Sequence, residues 1–402
     1  MTAAVAATQS RRTILLLAVA QALYSCCVIT VFATAGLVGL NIAPSPGLAT
    51  LPITTFVIGA MFTTIPASLI MQRIGRRPVF ITGAAVSLVG SVLAVWSIMT
   101  ANFPVFCLAT AMQGVFQATA GFYRFAAAES ADEQSKSIAI SWVLTGGVVA
   151  AVAGTLISNG TSELIPNYVF AGSYAAAIPL ALANIIVVAS LKLPKPKIDH
   201  AEGAARRWPE LLRQRKLIVA MAAAMISYAL MNLMMTAAPV AMIGCGFDKG
   251  DASWVIQWHV LAMFVPSFFT GQLIKRFGAE KITALGIIIL IMSAIGGLLG
   301  ITFANFAVAL ILLGLGWNFG FIGGTTMLTD CYRPSERGKV QAANDFGISL
   351  LMAIASYSSG SILAWWGWDF VAAALLPPAA LALAMVAWLM VVGERKQLEG
   401  QA

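Results

Sequence analysis

Two short basic turns limit what this chain can fold into more than any other feature. Gln72-Arg73-Ile74-Gly75-Arg76-Arg77 and Lys275-Arg276-Phe277-Gly278-Ala279-Glu280 each stand between long apolar runs, and their glycines are 203 positions apart. The same shift carries Glu133 and Lys136, after the fourth apolar run, onto Glu336 and Lys339, after the tenth. One offset that aligns two separate landmarks implies a duplicated unit repeated in parallel. Parallel repeats of apolar segments imply a membrane transporter that holds its substrate where the halves meet.

The runs are long enough to cross a hydrocarbon core of about 30 Å as helices. Twelve spans are read, at 13–40, 49–71, 79–100, 104–128, 137–158, 168–191, 216–244, 251–274, 281–302, 304–328, 340–365 and 369–392. The turns at 101–104 and 302–304 are tight, with Asn and Phe as their main punctuation. The fold class is therefore all-α membrane protein, twelve transmembrane helices in two pseudo-symmetric six-helix bundles. The domains are 1–191, a cytoplasmic linker at 192–215, and 216–402. The composition agrees, with 59% hydrophobic residues and 10% charged, where a soluble domain carries about 25% charged.

Of the 24 Lys and Arg, 22 fall on one face if the spans alternate; Lys249 is on the other and Arg124 lies inside a span. Such a bias puts both termini in the cytoplasm of a multi-pass inner-membrane protein. It also removes the net charge of +8 as a nucleic-acid signal, because the charge marks topology and forms no patch. The first run follows Arg11 and Arg12 but exceeds a signal-peptide core, so it is read as a retained span. Cys26, Cys27, Cys107, Cys245 and Cys331 show no metal spacing. No metal and no cofactor are expected.

The linker from Leu193 to Lys216 holds Pro194, Pro196, Arg206 and Arg207, and its Trp208-to-Leu212 piece suits a short interfacial helix. Spans 3, 9 and 12 are almost uniformly aliphatic and can face lipid. Spans 1, 4, 7, 8, 10 and 11 hold most amides, hydroxyls and indoles, which need partners or water at membrane depth. Gly146, Gly147 and Gly154 in span 5, with Gly296, Gly297 and Gly300 in span 9, permit close helix approach.

These features resemble the major facilitator superfamily over nearly the whole chain. The family's signature between spans 2 and 3 reads roughly G-x-L-x-D-R-x-G-R-R. It is matched by Ile70, Arg73, Gly75, Arg76 and Arg77, while Ser68 stands for the glycine and Gln72 for the aspartate. A second copy is similar at Gly271, Leu273, Arg276 and Gly278, with Lys275 at the acidic position. The Pro334-to-Lys339 loop and Asn344 also resemble the family. The resemblance implies a gating role for Arg73, Gly75, Arg76, Arg77, Arg276 and Gly278, with Asp345 anchoring helix 11 to the basic turn. Gln72 weakens the charge latch implied there, and Gly154-Thr155 replaces the Gly-Pro of the antiporter signature. The segment Tyr123-Arg124-Phe125-Ala126-Ala127-Ala128-Glu129 looks like one from a bacterial branch that includes riboflavin uptake transporters. The family usually works as a monomer.

Candidate substrate contacts follow from helical spacing. Gln113, Gln117 and Arg124, at i, i+4 and i+11, share one helix face of span 4 at about 3.6 residues per turn. Arg124 either lines the cavity or snorkels and pairs with Glu129 or Asp132. Span 7 offers Tyr228, Asn232 and Met235, span 10 offers Trp317, Asn318 and Phe321, and span 1 offers Gln21, Tyr24 and Ser25. Each residue taken singly also fits interhelical packing. As a set they suit a flat aromatic small molecule. For proton coupling His259 is the intramembrane histidine, with a structural hydrogen bond as its other reading.

The expected function is secondary transport of a small organic solute by alternating access, as uptake of a flat aromatic compound such as riboflavin. Proton-coupled drug efflux and a non-transporting sensor on the same scaffold are the alternatives. An enzyme is not expected, since only His200 and His259 exist and His200 is in the linker. An ATP-driven pump would need a Gly-rich Lys-Ser/Thr phosphate loop.

Overall fold

The computed structural model describes residues 2–131, 136–193 and 206–399, and every element in it is helical. Asp132, Glu133, Pro194, Pro196 and His200 lie outside the described residues, as do the side chains of Gln72 and Lys136. The first half contains α1 (Thr2–Ile42), α2 (Leu51–Ile74), α3 (Arg76–Met99), α4 (Phe103–Ala120), α5 (Tyr123–Ser130), α6 (Lys136–Gly160) and α7 (Ala171–Ala189). A short α8 (Trp208–Leu211) leads into α9 (Arg215–Gly244), α10 (Lys249–Phe264), α11 (Ser267–Phe277) and α12 (Ala279–Leu298). The chain ends with α13 (Phe303–Thr329), α14 (Arg337–Ala373) and α15 (Leu376–Glu399). Among the described residues, nine helices are long and apolar enough to cross a membrane, or ten if the bent pair α10–α11 is one span.

The chain divides into two compact units. One is Met1–Ile198 with Asp248–Gln257, and the other is Asp199–Phe247 with Trp258–Ala402. The break between them falls in the linker. One segment departs from chain order, because the first turns of α10 group with the N-terminal unit. There Lys249 pairs with Glu163 at 2.5 Å and Ser253 donates to Asn159 at 2.9 Å. The Lys249 hydrogen bond lowers the pKa of the Glu163 carboxyl.

The duplication is written into the backbone. Gly75 and Gly278 both join two helices with φ of 90°, a region open to glycine and strained for other residues. A Cβ on Gly75 would touch nothing within 4 Å, so the requirement is conformational. The tight turns repeat as well. Asn102 caps α4 by accepting from the Val105 amide, and its counterpart Asn305 completes a capping box with Thr302 on α13. Within the N-terminal unit α1 packs on α6, α4 and α7, and α3 packs on α4 and α7; in the C-terminal unit α9 packs on α14, α13 and α15, and α12 on α13 and α15. These are the same pairs, shifted by one repeat.

Several expectations need correction. Span 4 is one apolar stretch, Phe103–Ala127, but its helix is interrupted: α4 ends at Ala120, and turn residues Gly121 and Phe122 separate it from α5. Span 8 bends by 41° between α10 and α11, where Pro266 cannot continue the helical hydrogen-bond ladder. Lys339–Val391 forms a 53-residue apolar stretch, which as one straight helix would reach about 80 Å. It is broken at Gly367, whose φ is 81°, between the two spans read at 340–365 and 369–392, so here the sequence reading holds. Gly146 and Gly154 do allow close approach to α1, whereas Gly300 is a turn residue with φ of 147°.

The Trp208 segment is helical, as expected, and docks on the C-terminal unit. Leu211 is fully buried with Leu217, Ala220, Met327 and Val340. Arg206 just before it grips the fully buried Glu336, with guanidinium contacts of 2.7 Å and a backbone N–H at 2.8 Å, while the Arg333 amide adds a fourth bond at 2.9 Å. Hydrogen bonding from Arg206 holds the Glu336 carboxyl well below the usual carboxylate range.

Candidate functional site

In the N-terminal unit the polar candidates are engaged with their neighbours. Tyr24 on α1 donates to Gln117 Oε1 on α4 at 3.0 Å, and its ring stands edge-on to Phe116 at 5.1 Å. Gln21 donates to Ser25 at 3.2 Å, one turn along the same helix. Gln113 turns away from Gln117. Its Oε1 accepts from Ser87 at 2.6 Å and its Nε2 donates to Ser91 at 2.8 Å, both on α3. The expected stripe of Gln113, Gln117 and Arg124 is therefore not one surface: Gln113 ties α4 to α3, Gln117 faces α1, and Arg124 sits on α5.

Arg124 is exposed, with its guanidinium 4.8 Å from the centre of the Phe125 ring. It does not take Glu129, which pairs with Arg76 from α3. Arg76 also donates to the Phe122 carbonyl at 3.3 Å, so the basic turn is fixed to the α4–α5 junction. Arg73, Arg77 and Arg276 are exposed; Arg276 lies over Phe277 at 5.2 Å. Asp345 is exposed and accepts from Asn344 at 3.3 Å.

The C-terminal unit gathers rings. Trp317 and Phe321 on α13 stack at 5.1 Å with an 11° interplanar angle. Tyr228 on α9 stands edge-on to both, at 5.2 and 5.1 Å, and Phe264 at the end of α10 meets Trp317 at 6.3 Å. Trp317 is buried, whereas Tyr228 and Phe321 are half-buried. Such a group presents apolar ring faces with polar tips, the chemistry of a pocket for a planar ligand. Asn318, next in sequence, has a different task. It donates to Met263 O and Ser267 Oγ and accepts from Thr270, all within 2.6–2.7 Å. These bonds satisfy groups freed at the bend between α10 and α11.

His259 is fully buried and its Nδ1 lies 2.8 Å from the Leu310 carbonyl on α13. A carbonyl only accepts, so that contact assigns the proton to Nδ1 and leaves Nε2 as an acceptor. Nε2 has no partner. Asn232 donates to Met352 O at 3.1 Å, and its Oδ1 is likewise buried without a partner.

The Major Facilitator Superfamily sequence profile matches residues 15–299 and again 220–401. The chain belongs to this family. The two matches overlap over residues 220–299. Among curated relatives, it is 45% identical over 381 residues to the riboflavin transporter RfnT of Brucella anthropi, covering 94% of this chain and 95% of that one. An uncharacterized transporter of the same type, YdeG of Bacillus subtilis, is 27% identical over 85% of this chain and 82% of its own. Among solved structures, the nucleoside transporter NupG superposes with a TM-score of 0.73 at 13% identity, covering 94% and 99% of the two chains. That likeness concerns the fold alone.

Sequence reasoning missed several residues of this superfamily member. Ser87 and Ser91 complete the Gln113 bonds from an otherwise aliphatic helix. Asn184 on α7 donates to Ala20 O at 2.7 Å and accepts from Tyr123 at 3.0 Å. Lone hydroxyls and amides in aliphatic spans were the available signal, and span polarity as a whole hid it. Phe264, the last residue of α10 and two before Pro266, also joins the ring group.

Proposed function

We propose that this chain is a riboflavin uptake transporter of the cytoplasmic membrane, carrying the flavin by alternating access. The observation that supports this is the 45% identity to RfnT across almost the full length of both chains. The Trp317–Phe321–Tyr228 group agrees with a flat aromatic substrate. Twelve spans with both termini in the cytoplasm account for the 22 basic residues on one face, and no step of covalent chemistry is needed. Coupling to protons would rest on His259, and uptake with and without an uncoupler separates symport from uniport. The test of the function is growth rescue: expression of the chain should let a riboflavin auxotroph lacking its own uptake system grow on micromolar riboflavin. Protein present in the membrane with no rescue would refute the assignment.

A further inference from the structure

Among the described residues, buried side-chain polar atoms without a partner, including Ser227 Oγ, Asn232 Oδ1, Thr236 Oγ1, His259 Nε2 and Trp317 Nε1, all belong to the C-terminal unit. A buried donor or acceptor left unpaired is costly, and several of them in one unit call for an explanation.

Two of these atoms sit on the helices that carry the ring group: Trp317 Nε1 within it on α13, and Asn232 Oδ1 one turn beyond Tyr228 on α9. Trp317 is 6% exposed, and its indole N–H has no acceptor. Asn232 is fully buried; its amide nitrogen is held by Met352 O, which fixes the side chain and leaves Oδ1 as a bare acceptor. Tyr228 connects the two. It lies four residues, about 6 Å along α9, before Asn232, and its ring contacts Trp317 at 5.2 Å. Ser227 marks a close crossing of α9 and α13, since a Cβ on Gly320 would come within 2.4 Å of its hydroxyl oxygen. One unit thus holds an unpaired donor within an aromatic group and, one turn further along the helix that carries Tyr228, an acceptor whose side chain is fixed by Met352.

On the flavin reading above, we infer that Trp317 and Asn232 read the polar edge of the substrate ring. The indole N–H donates to a ring carbonyl, and Asn232 Oδ1 accepts from the ring N–H beside it. Phe321 and Tyr228 pack against the ring faces. The ligand class is a planar heteroaromatic bearing an imide or lactam edge, C=O next to N–H, and the isoalloxazine of riboflavin carries one. A site built to hydrogen-bond such an edge rejects an analogue lacking it far more strongly than an apolar pocket does.

The test titrates the full-length protein in detergent with riboflavin and with riboflavin methylated on the imide nitrogen, by calorimetry. Wild type, Asn232→Ala and Trp317→Phe are compared, with thermal melting to verify folding. Wild type should prefer riboflavin by about tenfold or more, and Asn232→Ala should lose that preference. Trp317→Phe keeps an aromatic ring for stacking and removes the N–H; it should weaken both ligands by about tenfold and retain the preference. An Asn232→Ala variant that still discriminates, or a Trp317→Phe variant that binds riboflavin like wild type, overturns the inference. If Asn232→Ala does not fold, the Trp317→Phe arm decides alone. Wild type that fails to bind riboflavin at all overturns the flavin assignment itself, a result distinct from binding without the expected discrimination.

Discussion

In the N-terminal unit Gln113 bonds Ser87 and Ser91, Asn184 bonds Ala20 and Tyr123, and the buried hydroxyl of Tyr174 accepts from Thr34. In the C-terminal unit Trp317, Asn232 and His259 each keep a buried polar atom unpaired. Yet the two units share their scaffold. Gly75 and Gly278 adopt one conformation, Asn102 and Asn305 both take part in a helix N-terminal cap though at different cap positions, and Phe116 recurs as Phe319. What the duplication kept is backbone and packing; what diverged is the fate of buried polar groups. Gln113 has Gly316 as its counterpart, and Trp317 has Gly114. Among the described residues, one unit closes its buried hydrogen bonds internally, and the other holds some in reserve.

Substitutions can break or sharpen this contrast. The largest effect is expected for Asn184→Leu, which strands the Tyr123 hydroxyl and removes the bond to Ala20. It should cost about 3 kcal/mol of stability, read by unfolding in detergent, with riboflavin affinity unchanged in the folded fraction. Next come Gly75→Ala and Gly278→Ala. Each forces a side chain into a backbone region that suits glycine, and each should cost about 2 kcal/mol. The two costs should match; a difference above about 1 kcal/mol would mean that the shared scaffold is not equivalent in the two units. Trp317→Phe reverses the pattern of Asn184→Leu, since removing an unpaired donor should leave the melting temperature within a few degrees while ligand affinity falls. A Trp317→Phe protein that melts far below wild type would show that the indole N–H is structural after all.

Which parts were readable in the sequence follows from the same contrast. The repeat, the helical class and the break at Gly367 were accessible because length, apolarity and glycine punctuation are local properties. The cut in span 4 was hidden, since Gly121-Phe122 in an apolar run looks like any membrane helix. The partners of Gln113 were also hidden, because helical spacing predicts a face and not which neighbour that face meets. Tyr228, Trp317 and Phe321 were singled out together by sequence and are in contact. Asn318 was grouped with them by adjacency, and the bend at Pro266 takes up its hydrogen bonds.

The smallest expected effect concerns the linker. Glu336→Gln should leave riboflavin affinity intact and raise tryptic cleavage around Arg206 severalfold. The Glu336 pKa is depressed in the folded protein. Its clasp therefore contributes fully above the ordinary carboxylate pKa of about 4.3 and is lost only as pH falls through the lower folded value. The clasp should stay closed between about pH 5 and pH 8, so the variant-to-wild-type ratio of cleavage should stay constant there. A ratio that collapses toward one across that window would show that another contact holds the linker.

The most direct measurement is riboflavin flux into liposomes containing only the purified protein. The account predicts time-dependent accumulation that excess unlabelled riboflavin suppresses and that Trp317→Phe slows at low riboflavin. Flux no greater than in empty liposomes, with folded protein verified in the same vesicles, would contradict it.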